Sequence, residues 1–286
     1  MATTNATAPK SAPKKQSQGF TGIKSGLSVI CCCAVVAVCV YLFLFGHQSH
    51  FSNADATFSV FGNSDWEPVV GDLMGTVYKG GFIVPIIWTL LFTVLALSIE
   101  RFFAIKTAYG KTSLAKFVAD IKKALAANDL QKAQQLCDAQ RGSVANVVGA
   151  TLATYKEMEA NAELSKEQKV LAIQKSLEEA TALEMPTMQE NLPIIGTIVT
   201  LGTLTGLLGT VIGMIKSFSA MGGEGGADSA ALSTGISEAL VNTASGIATG
   251  ACAVISYNYF TNKIDRLTFA LDEVGFSIVQ TFNATH

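Results

Sequence analysis

Charge is scarce in this sequence: of 286 residues, 20 are Lys or Arg and 22 are Asp or Glu. At 15% charged the chain falls well below the roughly 25% of an ordinary soluble domain. With a net charge of −2 it has no excess of either sign with which to hold nucleic acid or an acidic substrate. Histidine is scarcer still. His47, His50 and His286 have no ligand-like spacing and read as solvated loop and tail residues. The 6 cysteines form no metal-ligand pattern. Cys31, Cys32, Cys33 and Cys39 lie in the first apolar run, Cys252 in the last and Cys137 in a charged, helix-like stretch, where a thiol acts as a small apolar group. The Cys31–Cys33 cluster lacks the small-residue box of an acylated lipoprotein, so packing is the reading. Nucleotide-binding and catalytic patterns are missing, as are the repeated halves with broken helices of a solute transporter. No enzyme activity, metal or cofactor is expected.

What the sequence does have is long apolar runs, with the charges gathered between them. Residues 27–45 carry no charge, and about 20 residues suffice to cross the hydrocarbon core. The second run is 80–99, closed by Glu100 and Arg101; the third is 193–215, closed by Lys216; the fourth is 233–260, with Glu238 near its start. The expected fold class is therefore all-α: a polytopic membrane protein of four transmembrane helices. Lys and Arg near the span ends set the orientation. The tail 1–26 carries Lys10, Lys14, Lys15 and Lys24, and Arg101, Lys106, Lys111, Lys263 and Arg266 follow the second and fourth spans. The loop 46–79 carries Asp55, Asp65, Glu67 and Asp72 against Lys79 alone. Both termini are then expected on the cytoplasmic side of an inner membrane, with 46–79 and 216–232 outside and 100–191 and 261–286 inside. A basic start before an apolar run also describes a cleaved signal peptide, with Ala54-Asp55-Ala56 as the small-x-small site. The run is long for that and the site lies well past it, so a retained span is expected.

Between the second and third spans the periodicity is helical. Leu114, Phe117, Val118, Ile121 and Leu125 share a face in 113–127, 129–139 repeats the habit after a turn at Asn128, and Gly142 breaks the chain before 144–160. Ser165 and Gln168 form a capping box for a last helix over 165–190. Pro186 and Pro193 predict kinks where it meets the third span. This stretch reads as a helical cytoplasmic domain.

The third and fourth spans are rich in Gly, Ala, Ser and Thr. Gly202, Gly206, Gly209 and Gly213 punctuate the third, and Gly246 and Gly250 the fourth, with GxxxG pairs at Gly202/Gly206 and Gly246/Gly250. Small residues let helices approach closely in lipid, so these are expected to be packing positions. Hydroxyls run alongside: Thr203 and Thr210 in the third span, Asn242, Thr243 and Thr249 in the fourth. Each alone reads as bonded to its own helix carbonyl; together they read as a polar stripe. From the helix rise, Thr210 lies about 9 Å inside Lys216 and Thr243 about 7.5 Å deeper than Glu238, so the two threonines fall near one level of an antiparallel pair. No Asp, Glu, His, Lys or Arg lies in 193–215 or 239–262. A proton path needs a group that changes charge; a second chain must supply it, with Glu238 serving the entrance only.

Gly206-Leu207-Leu208-Gly209-Thr210-Val211-Ile212-Gly213-Met214 closely resembles the second-helix motif of ExbB and TolQ, and Gly235-Ile236-Ser237-Glu238-Ala239-Leu240-Val241-Asn242-Thr243-Ala244-Ser245-Gly246 resembles their third-helix motif, continued by Tyr257-Asn258. The chain thus resembles the ExbB/TolQ/MotA proton-channel family, most of all ExbB, in detail over 193–260 and loosely from Gly80 onward. The resemblance implies a pentamer around a single-span ExbD- or TolR-like partner whose Asp carries the proton, with work passed to an outer-membrane transporter through a TonB-like protein. It maps the pore threonines onto Thr210 and Thr243 and the motif Glu onto Glu238. Thr203 and Asn242 join them as expected pore-lining residues. The enteric relatives have three spans; 27–45 adds one, an even count shared with MotA. A TolQ-type motor, a gliding or flagellar stator and a non-conducting scaffold remain alternatives.

Overall fold

In a computed structural model, residues 26–52, 67–69, 71–221 and 229–285 are described. The basic tail, the 54–56 site, Asp55, Asp65 and part of the connection between the last two spans lie outside them. The described chain is helical, with a lone antiparallel bridge between Phe51 and Pro68. Helix α1 is Gly26–Cys39 and widens into a π-helical turn, Val40–Phe45. After a short 3-10 turn come α2 (Leu73–Tyr78), α3 (Ile83–Tyr109), α4 (Leu114–Ala126), α5 (Leu130–Gln140), α6 (Ser143–Ala160), α7 (Lys166–Gln189), α8 (Leu192–Met221) and α9 (Ser229–Thr285). Four helical stretches are long and apolar enough to cross a membrane, one each through α1, α3, α8 and α9. A helical region lies between the second and third, as the periodicity predicts.

The second span opens later than its hydropathy suggests. Gly80 and Gly81 form a turn rather than a helix start, because Gly81 sits at φ +72°, where a side chain is strained. The two prolines are also resolved differently. α7 runs through Pro186, and the break falls at Asn191, whose φ is +64°. Pro193 then occupies the first turn of α8, where its missing N–H costs no helical bond.

The contacts divide the chain into two units. One comprises Lys106–Met185 and Leu267–His286. Its helices begin where local chemistry dictates. Asp129 accepts from the Lys132 N–H to cap α5. Ser165 and Gln168 bond reciprocally, at 3.1 and 3.4 Å, ahead of α7. Gln140, buried, ties the α3–α4 loop by donating to the carbonyls of Tyr109 and Thr112. Asn128, at φ +53°, and Gly142, at φ +96°, make the two tight turns. Of residues 261–286, expected only as a tail, 261–285 are the end of α9. Leu267, Leu271, Val274, Ile278 and Phe282 recur at helical spacing and are buried, with Phe282 edge-on to Tyr155 at 4.9 Å.

The other unit comprises Gly22–Ile105 and Pro186–Arg266. Val29 and Cys33 of α1 pack with Val94 and Leu97 of α3, Ile195 and Ile198 of α8 and Ala253 of α9. Toward the far end of α1, Phe45, Phe51 and Tyr78 form a second cluster, with Tyr41 and Trp88 against it. Arg101 is fully buried. It pairs with Glu100 and donates to the Thr187 and Met188 carbonyls at 3.1 and 3.4 Å, while the Asn191 amide reaches Glu100. The α7 end has carbonyls without helical partners, and this arginine satisfies two of them.

Candidate functional site

The site is built from α8 and α9. Their seam is made of glycines, and backbone contacts explain why. A Cβ on Gly246 would lie 2.6 Å from the Gly202 carbonyl and 2.7 Å from Gly206 Cα; one on Gly206 would lie 3.0 Å from the Asn242 carbonyl; one on Gly213 would lie 2.8 Å from the Gly235 carbonyl. Carbon atoms in ordinary contact sit about 3.5–4.0 Å apart, so no other residue fits without parting the helices. Gly250 opposes Thr203 and Val199, and Gly209 opposes Asn242. These pairings run antiparallel and put Thr210 and Thr243 at neighbouring levels.

The hydroxyls are committed locally. Thr203 donates to the Val199 carbonyl at 3.2 Å, Thr210 to Leu207 at 2.6 Å and Thr243 to Ala239 at 3.2 Å. Thr197, Thr200, Thr205 and Thr249 donate to carbonyls three or four residues back in the same way. This satisfies each hydroxyl in an apolar medium and leaves its oxygen lone pairs available to accept. Such a row offers acceptors but no group that changes charge. Thr203 is exposed and Thr210 and Thr243 are half-buried. Thr210 also opens onto an apolar groove lined by Val211, Met214, Ile215, Phe218 and Ser219, all on α8.

Asn242 lies elsewhere. It is fully buried inside the chain, against Gly209, and its amide donates to the Gly80 carbonyl at 3.0 Å. Its surroundings are the α8–α9 seam and the turn before α3, not the exposed face that bears Thr203. Glu238, one turn nearer the α8–α9 connection, is 6% exposed. Lys216 donates to its Oε1 at 2.7 Å. Gly81 packs so closely that a Cβ there would lie 2.5 Å from the same oxygen. Sequence reading separates these residues: Lys216 marks the end of one span and Glu238 the entrance of another. Only the antiparallel register, with Gly213 against Ala239 and Gly235, brings them together. The Glu100–Arg101 pair was likewise hidden, because adjacent charges at a span end read as an interface.

Four membrane-length helices, two of them locked by a glycine seam and lined with hydroxyls, define a multi-pass helical membrane protein of the channel or scaffold kind. Residues 147–273 match the MotA/TolQ/ExbB proton channel family. The relatives agree. The chain is 38% identical over 98 residues to the ExbB-like 3 biopolymer transport protein of Synechocystis sp., covering 34% of this chain and 46% of that protein. It is 36% identical over 94 residues to the biopolymer transport protein ExbB of Helicobacter pylori, covering 33% and 64%. It is 32% identical over 95 residues to the Tol-Pal system protein TolQ of Pseudomonas aeruginosa, covering 33% and 41%. The chain spans less than two thirds of the length of each of these relatives. ExbB and TolQ names both occur among them, so an ExbB-type role is not distinguished from a TolQ-type one.

Proposed function

We propose that this chain is the proton-channel subunit of an inner-membrane motor of the ExbB type, with both termini in the cytoplasm and several copies, five by resemblance, around a single-span ExbD- or TolR-like partner. The carrying observation is a combination: a match to the family over 147–273, two helices held at backbone contact, and no Asp, Glu, His, Lys or Arg in 193–215 or 239–262. The self-bonded threonines support it, since they offer lone pairs along a path but no charge carrier. The partner's membrane Asp takes that role. Proton entry down the transmembrane potential releases about 2.3 kcal/mol per charge per 100 mV, enough over a few protons to rearrange one assembly inside the other and to energise an outer-membrane transporter through a TonB-like protein. Thr210 and Thr243 line the path, with Thr203 deeper and Glu238 at its outer mouth; the glycines at 202, 206, 209, 213, 246 and 250 hold its wall.

The TolQ name of one relative keeps a Tol-type envelope motor as the second reading. A liposome assay tests the channel reading: proton flux is expected when chain and partner are reconstituted together and absent when either is alone. Equal flux from the chain alone overturns the carrier in trans; none under any pairing favours a scaffold.

A further inference from the structure

Three polar side chains meet inside one protomer at the α8–α9 connection end, away from the exposed Thr203 face. Glu238 and Asn242 are four residues apart and share a face of α9. Both are more than nine-tenths buried. Both point at consecutive residues of the turn before α3. A Cβ on Gly80 would lie 3.2 Å from Asn242 Oδ1, and one on Gly81 would lie 2.5 Å from Glu238 Oε1 and 3.6 Å from Lys216 Nζ. The two oxygens thus approach adjacent residues of one turn. Tyr41 approaches closely enough to interact electrostatically with Glu238, but its hydroxyl is spent on the Tyr78 carbonyl at 2.9 Å.

The constellation is short of donors. An ionised carboxylate only accepts. The Asn242 amide N–H₂ donates to the Gly80 carbonyl, and Asn242 Oδ1 is one of the buried side-chain atoms that has no hydrogen-bond partner among the described residues. Two buried acceptors on one face suit a ligand that is positive and donates or coordinates without accepting. Lys216 is such a group for Glu238 at 2.7 Å, its side chain 50% exposed while that of Glu238 is 8% exposed. A four-carbon stem reaching the carboxylate from the solvent side is free to withdraw along the same route.

We propose that Glu238 and Asn242 form a two-oxygen site for a small monovalent cation, hydronium or Na⁺, in which the Lys216 ammonium is the tethered competitor. With Lys216 in place the carboxylate is neutralised and the site is closed. When Lys216 withdraws, a cation is held between the Glu238 carboxylate and Asn242 Oδ1. In the hydronium case the proton passes to the carboxylate, giving a neutral acid and a water that donates to Oδ1. The site deepens the reading of Glu238 as the mouth of the path, by giving the mouth a second ligand and a gatekeeper.

The test uses the full chain in nanodiscs and needs no flux. Lys216→Met vacates the site, and Lys216→Arg keeps a cation in it as a folding control. NaCl titration followed by ²³Na line broadening, with choline chloride as the inert salt, reads Na⁺. Infrared difference spectra of the Glu238 carboxyl, identified with Glu238→Gln, read the proton. The expectation for Lys216→Met is at least a tenfold gain in Na⁺ broadening, or a protonated-carboxyl band of Glu238 that the parent lacks under the same conditions. Either signal should be lost on adding Glu238→Gln and cut about tenfold by Asn242→Leu. Which one appears distinguishes Na⁺ from hydronium. A Lys216→Met protein with neither signal, or one whose signal is indifferent to Asn242→Leu, overturns the site. A chain that binds the cation yet conducts nothing with its partner keeps the site and discards the channel reading; a conducting pair without occupancy here does the reverse.

Discussion

Replacing Gly246 by Ala adds a single methyl group and tests the helix seam directly. In the structure that methyl would stand 2.7 Å from Gly206 Cα, 2.6 Å from the Gly202 carbonyl oxygen and 3.0 Å from the Gly206 nitrogen, all of them backbone. Ordinary carbon contact needs about 3.5–4.0 Å, so α8 and α9 must part by roughly 1 Å. Overpacking of this kind costs about 1–3 kcal/mol. Ala is intrinsically the better helix former by about 1 kcal/mol, which offsets part of that. The net expectation is a loss of up to about 2 kcal/mol. Gly149→Ala is the matched control. It too lies inside a helix, but its methyl would meet Gln134 Nε2 at 3.4 Å and Cys137 Cβ at 3.7 Å. Those are ordinary contacts, so the propensity gain of up to about 1 kcal/mol should show unopposed. Denaturant unfolding of both variants in one detergent, followed by circular dichroism, reads the difference. Equal stability of the two, or a more stable Gly246→Ala, would refute the close-contact seam.

Other expectations follow from single interactions. Arg101→Met removes one partner of a buried ion pair and two carbonyl hydrogen bonds; breaking such a pair costs about 3–5 kcal/mol, visible as a drop in unfolding midpoint that Glu100→Gln/Arg101→Met partly reverses. Thr243→Val should leave the purified assembly unchanged in size while abolishing energy-dependent uptake; normal uptake would remove Thr243 from the path. The Asp72 carboxyl is held below the usual carboxylate range, chiefly by the His50 hydrogen bond and further by the Met74 and Gly75 N–H groups. Because its folded pKa is lowered, the stabilisation is present above the ordinary Asp value and disappears as pH falls through the lowered one. Hydrogen exchange over 71–79, corrected for intrinsic rates, should therefore rise only in acid for the parent and already be fast at neutral pH for Asp72→Asn. Burial, and then Asp138, push the Cys137 thiol up to about 12, so alkylation at pH 8 should require unfolding first; rapid labelling of the folded chain would contradict its burial.

The four spans were legible because hydrocarbon thickness demands long uncharged runs, and the helices between them because amphipathic spacing and local caps are written within a few residues, as at Ser165 and Gln168. The glycine pattern also announced close packing. Local signals stop where partners are distant in sequence. Nothing near Lys216 marks Glu238 as its partner, since their meeting depends on the register of two helices. Asn242 was grouped with the threonines by polarity, but hydropathy does not say which side of a helix faces its own chain. The turn at Gly80 and Gly81 was absorbed into an apolar run because glycine is nearly neutral in hydropathy, and the φ of +72° at Gly81 has no compositional trace. The end of α9 was passed over as a tail although Leu267, Leu271, Val274, Ile278 and Phe282 already carried a helical period.

The central claim is that hydroxyls of this chain wall a path whose charge carrier belongs to another polypeptide. A structure of the chain assembled with the proposed single-span partner tests it most directly, through the distance from the Thr210 and Thr243 oxygens to that partner's membrane carboxyl group. The account predicts that both threonines face the central partner, within reach of that group directly or through one water. Threonines turned to lipid, with the partner's acid surrounded by other side chains, would contradict it.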